Sequence, residues 1–180
     1  VHSGIQNLRA QEELVDAAFF KVFDLPLIAG DKASALTAPD AVMLTEAVAR
    51  NYFPDKSSMD QIIGQTLRLT DLEGTNAYRV TAILRDPPAT TDLRFDIVRL
   101  ITPRTQNAYE NWNNWASREA SIYLHFARPS DAAQLNANFD RFTDARAANC
   151  FVSLKAHKTR RLRLEPLKSL HLHNIQTRTS

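Results

Sequence analysis

The hydrophobic and polar positions change period several times along the chain, so the pattern predicts short strands and short helices rather than one repeated unit. Residues 41–44 are all apolar and predict a buried strand. Thr45 is suited to cap a helix over residues 46–52, and Pro54 then ends that helix. This order of strand, cap and helix is the clearest local prediction.

A β-hairpin is predicted soon afterwards. Residues 66–70 and 78–84 alternate between apolar and polar positions with the period of a half-buried strand. The connection at residues 71–74 has the length of a hairpin turn. The alternation of the second strand predicts one shared face for Tyr78, Val80, Ala82 and Leu84.

The rest of the chain mixes strands and helices irregularly. Further strands are predicted at residues 93–101, 121–126, 151–156 and 162–167. Ser130 and Asp131 predict the start of a helix that reaches residue 148. The apolar stripe of this helix would contain Leu135, Phe139, Phe142 and Arg146. This order of elements favours an α+β fold with mixed sheets over a doubly wound parallel sheet.

An aromatic cluster stands near the start of the chain. Phe19, Phe20 and Phe23 have helical spacing, and Pro26 and Gly30 follow them. We expect a short helical turn whose rings, Phe20 included, anchor the core, and a positive φ at Gly30. A ligand-binding aromatic cluster is the alternative interpretation.

Composition excludes several classes of protein. The 180 residues carry a net charge of +2 with both signs interspersed, so nucleic acid is not an expected partner. Cys150 is the single cysteine and therefore forms no internal disulfide. No apolar run reaches the roughly 18 residues that span a bilayer. The chain begins without Met, which suggests a processed product or a piece of a longer protein.

Candidate chemistry is sparse. His171 and His173, with His125 or His157, form only a weak candidate metal site. Cys150 has no evident base, and the isolated glycines cannot form a phosphate-binding loop. The basic turn at residues 157–163 could contact lipid headgroups or an acidic partner, although a solvated turn is favoured. We therefore predict no catalytic, cofactor-binding or metal-binding residue, and no enzyme.

Several segments, in order, resemble the MacB-like periplasmic core domain of FtsX-type ABC transporter permeases. One of these segments ends in Asp86-Pro87-Pro88. The last segment contains Pro166-Leu167 and, further on, His171-Leu172. The full series is residues 15–30, 41–53, 63–67, 78–88, 93–96 and 164–172. Each segment alone is weakly specific, but their order covers nearly the whole chain.

The resemblance implies a mechanical domain in the periplasm, between the first two transmembrane helices of an inner-membrane permease. Its partners would be a separate or fused ATPase subunit, a second permease copy or homologue, and a periplasmic or outer-membrane protein. The resemblance also implies a porter-like part, residues 1–37 and 115–180, and a smaller inserted α/β subdomain, residues 38–114. A short lead-in and the lack of flanking membrane helices suggest an excised fragment.

The main functional hypothesis is a non-catalytic transport module without cofactors. It would transmit ATP-driven movement of the membrane helices to the export of a hydrophobic drug, peptide, lipid or lipoprotein, or to a partner protein. A first alternative is a regulatory module of an FtsX-like permease that controls a cell-wall hydrolase. A second alternative is an independent soluble enzyme.

Overall fold

The computed structural model describes residues 9–71, 74–88, 91, 93–108, 121–146, 158 and 161–167. Contacts within the chain divide it into two compact units, residues 1–110 and residues 111–180. The first unit contains a mixed six-stranded sheet with short helices, and the described residues of the second contain two further helices. The predicted α+β class is confirmed.

The sheet of the first unit has the strand order β1-β6-β3-β5-β2, and β4 pairs with β5 outside this path. β1 runs parallel to β6 and β3 runs parallel to β5, whereas the other pairs are antiparallel. The strands are β1 (Glu12–Val15), β2 (Leu27–Gly30), β3 (Ala41–Thr45), β4 (Thr66–Asp71), β5 (Gly74–Leu84) and β6 (Ile97–Leu100).

Short helices connect these strands. They are α1 (Phe19–Val22), α2 (Glu46–Tyr52), a 3-10 helix (Met59–Gln61) and α3 (Pro103–Ala108). The second unit contains α4 (Pro129–Ala137) and α5 (Phe139–Arg146). The bounds of α2 are those that the sequence predicts.

Each face of the sheet carries a core. We call them the first core, which includes Val42, Leu44, Ile62, Leu67, Tyr78, Val80, Ile83 and Ile97, and the second core, which includes Val15, Phe19, Met43, Ala82, Leu84 and Val98. β3 lies between β6 and β5, and all five of its residues are buried. Burial on both faces explains why the first four residues of this strand are an uninterrupted apolar run rather than an alternating one.

A β-bulge at Thr81 makes the prediction of one shared face on β5 wrong. Val42 pairs with Val80, but Met43 pairs with Ala82, so Thr81 is an extra residue in β5. The Thr81 hydroxyl donates to the backbone, with its Oγ1 2.6 Å from the Ala35 carbonyl oxygen. Tyr78 and Val80 therefore face the first core, whereas Ala82 and Leu84 face the second.

Gly30 lies directly against this bulge. It pairs with Ala82 and has a φ of 87°, as its predicted left-handed conformation requires. A Cβ on Gly30 would lie 2.7 Å from the Ala82 Cα and would collide with the Thr81 carbonyl oxygen. Both the backbone angle and the close approach of β5 therefore require glycine here.

The aromatic cluster forms the predicted helical turn, α1, but its rings are not equally buried. Phe19 is buried in the second core, whereas Phe20 and Phe23 are half-buried and pack against it. The ring centroids of Phe19 and Phe23 are 5.2 Å apart, and those of Phe19 and Phe20 are 5.5 Å apart. The main anchor is therefore Phe19 and not Phe20.

The second unit differs from the sequence prediction. Residues 121–126 and 162–167 form no strand, and Ile122 is 82% exposed. An alternating segment becomes a strand only when another strand pairs with it, and none of the described strands pairs with these residues. The predicted strand at residues 151–156 lies outside the described residues.

The single helix predicted over residues 130–148 is instead two helices, which meet at Asn138. Asn138 Nδ2 donates to the Gln134 carbonyl oxygen at 2.8 Å, and its backbone N–H donates to the Leu135 carbonyl oxygen. Side-chain bonding of this kind competes with the helical ladder and so explains the break.

The predicted subdomain border at residue 38 falls within one sheet, since β1 and β2 precede it and β3 to β6 follow it. The division into a porter-like part, residues 1–37 and 115–180, and an inserted subdomain, residues 38–114, stays a prediction.

Replacing Gly30 with Ala should destabilise the protein by about 3 kcal/mol, because backbone strain and overpacking add. Gly64 is a matched control: its φ is 84°, but nothing lies within 4 Å of the added Cβ. Gly64→Ala should therefore cost only about 1 kcal/mol. Urea unfolding measures the free energy of unfolding of both variants. Equal losses for Gly30→Ala and Gly64→Ala would contradict the close packing at Thr81.

Replacing Phe19 with Ala should cost about 3 to 5 kcal/mol, since a buried ring leaves a cavity. Phe20→Ala removes a half-buried ring of the same size and should cost clearly less. Thermal unfolding of the two variants side by side measures the difference. A larger loss for Phe20→Ala would show that the assignment of the anchor is wrong.

Candidate functional site

Arg99 is the most unusual residue of the sheet, because its charged side chain is buried inside an apolar strand. It lies on β6 between Leu14 of β1 and Val42 of β3, and it is 1% exposed. Arginine is almost never fully buried unless its charge is paired. The partners of Arg99 therefore define the candidate site.

The Arg99 guanidinium pairs with the carboxylate of Glu12 through two contacts. Nε of Arg99 donates to Oε1 of Glu12, and Nη2 lies 3.3 Å from Oε2. On the other side, Nη1 donates to the Tyr78 hydroxyl at 2.6 Å, and Cζ lies 4.9 Å from the Tyr78 ring centroid. Arg99 thus joins β1, β6 and β5 in one network, which we call the arginine network.

The network couples the attachment of β1 to a buried ion pair. Removing one partner from a buried ion pair costs several kcal/mol, because the other charge then stays buried and unpaired. The Glu12 side chain is 21% exposed, so water screens part of its charge, whereas that of Arg99 is 2% exposed. On the opposite face of β1, partial burial raises the pKa of the Glu13 carboxyl above its ordinary value.

Backbone bonds fix both ends of the same strand. Before β1, the Gln11 N–H donates to Oδ2 of Asp96 at 2.8 Å, and the Asp96 N–H donates back to the Gln11 carbonyl oxygen at 2.8 Å. After β1, the Ile101 N–H donates to the Val15 carbonyl oxygen at 2.8 Å. The register of β1 is therefore held at its start, in its middle and at its end.

A second aspartate, Asp86, caps α2 although it lies 39 positions further along the chain than Ala47. Thr45 occupies the predicted cap position, but its side chain makes no capping hydrogen bond. Instead, the Ala47 N–H donates to Oδ1 of Asp86 at 3.0 Å. Asp86 follows β5, so its carboxylate ties the start of α2 to the end of the neighbouring strand.

The interpretation of Phe19, Phe20 and Phe23 as a ligand-binding cluster gains no support from this geometry, because the three rings pack on one another. Beside them, Lys32 Nζ lies 5.8 Å from the centroid of Phe20 and 2.6 Å from Oδ1 of Asp24. The hydrogen bond from Lys32 lowers the pKa of Asp24, and the Coulomb attraction adds to this effect.

Of the candidate metal-binding histidines, His125 lies among the described residues. His125 is exposed, and no group of three potential metal ligands converges within the described residues. His157, His171, His173 and Cys150 lie outside them. In the predicted basic turn, Arg161 and Arg163 are exposed, and Arg163 pairs with Glu165.

Comparison with known proteins identifies the family. The family model described as the MacB-like periplasmic core domain matches residues 2–142, which is most of the chain. The chain belongs to this family. The predicted resemblance is therefore confirmed, and the arginine network is a feature of a MacB-like periplasmic core domain. In the part of the chain that the structure describes, no helix has the length and apolarity needed to cross a membrane.

A solved structure shows the same fold as this MacB-like domain. It is described as a domain of a permease protein from Porphyromonas gingivalis, with a TM-score of 0.55 and 20% sequence identity. The match covers 78% of this chain but only 63% of that one, so the chain spans less than two thirds of its structural relative. No curated protein matches the sequence.

Sequence reasoning missed the arginine network of this MacB-like domain. One signal was available, since Arg99 interrupts the apolar residues 97–101. A charge at the centre of a buried strand indicates a buried partner, but nothing in the local pattern indicates which residue that partner is.

Replacing Glu12 with Gln should destabilise the domain by about 3 kcal/mol, because it leaves the Arg99 charge buried without its counterion. Glu13→Gln changes a similar side chain on the opposite face of the same strand and should change stability little. Urea unfolding of both variants measures the difference.

A double-mutant cycle completes this test. Arg99→Met in the Glu12→Gln background removes the unpaired charge and should recover stability, giving a coupling of more than about 1 kcal/mol. Additive losses from the two substitutions would show that the ion pair does not hold β1.

Proposed function

We propose that this chain is the periplasmic, extracytoplasmic domain of an inner-membrane ABC transporter permease. In this role it transmits ATP-driven movement of the membrane helices to the export of a substrate or to a partner protein, and it performs no catalysis. Membership of the MacB-like periplasmic core family supports the permease context. A separate or fused ATPase subunit and a second permease chain complete the proposed transporter.

The observation that carries this proposal is the attachment of β1 by the arginine network. In the proposed arrangement, β1 is the first strand to receive movement from the preceding membrane helix. The Glu12–Arg99 pair joins β1 to β6, and the bond to Tyr78 continues this connection to β5. Because partial separation would leave a buried charge unpaired, β1 and the sheet should move together as one rigid body.

Rigid coupling also agrees with the sparse chemistry of the chain. A domain that transmits movement needs closely packed cores and fixed register, since packed interiors transmit strain with little compression. The first unit has both features, in two cores and a β1 that is fixed along its whole length. The exported substrate in this proposal is a hydrophobic drug, peptide, lipid or lipoprotein.

The genetic context gives the first test. The full reading frame should encode a transmembrane helix on each side of this domain, and an ATPase should be fused to it or encoded beside it. A reading frame with no transmembrane helix and no neighbouring ATPase would overturn the proposal.

Spin labelling of the full permease with its ATPase tests the mechanical role without knowledge of the substrate. Asn51, exposed on α2, is replaced with Cys for labelling, and Cys150 is replaced with Ser. The distance between labels in the two permease chains should change when ATP is trapped with vanadate. Glu12→Gln should reduce this change while ATP hydrolysis continues, and Glu13→Gln should preserve it.

A folding control accompanies this measurement. The double variant Glu12→Leu with Arg99→Met removes both charges and keeps apolar packing, so β1 should stay attached and the distance change should return. An unchanged distance in the original protein on ATP trapping, or a full change in Glu12→Gln, would contradict mechanical coupling through β1.

A further inference from the structure

The β4–β5 hairpin extends beyond the end of β3. The pairing of β3 with β5 begins at Arg79, whereas β4 pairs with β5 back to Gly74. Residues 74–78 therefore have β4 on one side and no described strand on the other. This part of β5 is an open sheet edge, which we call the hairpin edge.

Backbone groups on the hairpin edge are not paired by any described strand. The Arg79 N–H points to the β3 side, where it donates to the Asp40 carbonyl oxygen at 2.8 Å. Because the direction of the N–H and C=O groups alternates along a strand, those of Thr75 and Ala77 point to the same side. No described strand pairs with them there, and an unpaired row of this kind is a template for strand addition.

The outward face of the hairpin is polar and basic. Its exposed residues are Thr66, Arg68, Thr70, Thr75, Ala77 and Arg79. The opposite face carries Leu67 and Tyr78, which are buried in the first core. Since none of the described residues of the outward face has a large apolar side chain, the face is suited to a polar partner rather than to insertion into lipid.

The charge of this face comes from two arginines. Arg68 pairs across the strands with Ala77, and Thr66 pairs with Arg79, so the arginines are diagonal neighbours about 7 to 8 Å apart at their Cα atoms. Neither has an ion-pair partner in the described part of the chain. Ala77, which pairs with Arg68, carries only a methyl group on this face.

From these observations we propose that the hairpin edge binds an extended acidic segment of a partner protein. The segment adds a strand beside residues 74–78 and exchanges main-chain hydrogen bonds with Thr75 and Ala77. Carboxylates on alternate residues of the added strand share one face, where Arg68 and Arg79 meet them with planar, fork-shaped donors. This inference deepens the proposed function, on which it rests for the periplasmic location of the partner.

A peptide-binding measurement tests the site with the full 180-residue chain. The probe is a fluorescent ten-residue peptide of alternating Glu and Thr, and binding is followed by anisotropy at low and high salt. We expect binding that weakens with salt and that falls at least tenfold in Arg68→Gln/Arg79→Gln. The control variant Lys21→Gln/Arg85→Gln loses the same charge at two other exposed positions and should bind as the original does.

Hydrogen exchange distinguishes strand addition from simple charge attraction. Saturating peptide should slow exchange at the amides of Thr75 and Ala77, which point to the open edge. No peptide binding, equal binding of the peptide with Gln in place of Glu, equal loss in the control variant, or unprotected Thr75 and Ala77 would each overturn the proposal.

Two other occupants would also overturn it. Phosphatidylglycerol vesicles that bind through Arg68 and Arg79 when the acidic peptide does not would assign the face to lipid. Self-association of the chain, lost on Arg68→Gln/Arg79→Gln, would assign the edge to a second copy. These measurements need neither ATPase nor membrane helices, so their failure would leave the mechanical proposal separately testable.

Discussion

The first unit depends on one buried charge. A guanidinium inside an apolar core costs several kcal/mol unless it is paired and fully hydrogen-bonded, so the folded sheet requires the partners of Arg99 to be in place. Arg99 obtains these partners from two strands, Glu12 on β1 and Tyr78 on β5. An edge strand of four residues is weakly held by its own ladder. The ion pair gives β1 a fixed register that its short length alone would not give it.

The bulge in β5 also determines where Tyr78, one of the partners of Arg99, lies. The extra residue, Thr81, changes the side of the sheet on which the following residues lie, so one strand supplies side chains to both cores. Without Thr81, the alternation of side chains between the two faces would continue unbroken along β5. Tyr78 would then lie on the same face as Leu84. The close approach of Gly30 to the bulge and the pairing of Arg99 with Tyr78 are therefore linked through β5.

Local elements of this fold were predictable from sequence, whereas its long-range contacts were not. Strand β3, helix α2 and the hairpin follow from apolar runs, caps and turns within about ten residues of chain. Glu12 and Arg99 are 87 positions apart, and no local pattern connects them. The bulge could not be predicted from the sequence either. The residues from Val80 to Leu84 suit a strand whichever of their side chains face the first core. Residues 121–126 show the converse, since they alternate without forming a strand.

The segments that carry the family resemblance perform structural tasks. Asp86 caps α2, Asp96 fixes the start of β1, and Gly30 admits the bulge of β5. Such residues report a shared backbone arrangement and carry no information about a substrate. On the outward face of the hairpin, Thr70 and Thr75 join the two strands through their hydroxyl groups. Arg68 and Arg79 have no comparable task in the described residues, so they can change with less effect on the fold. Differences in partner within one fold should therefore lie at such edges, while the buried network keeps the sheet itself constant.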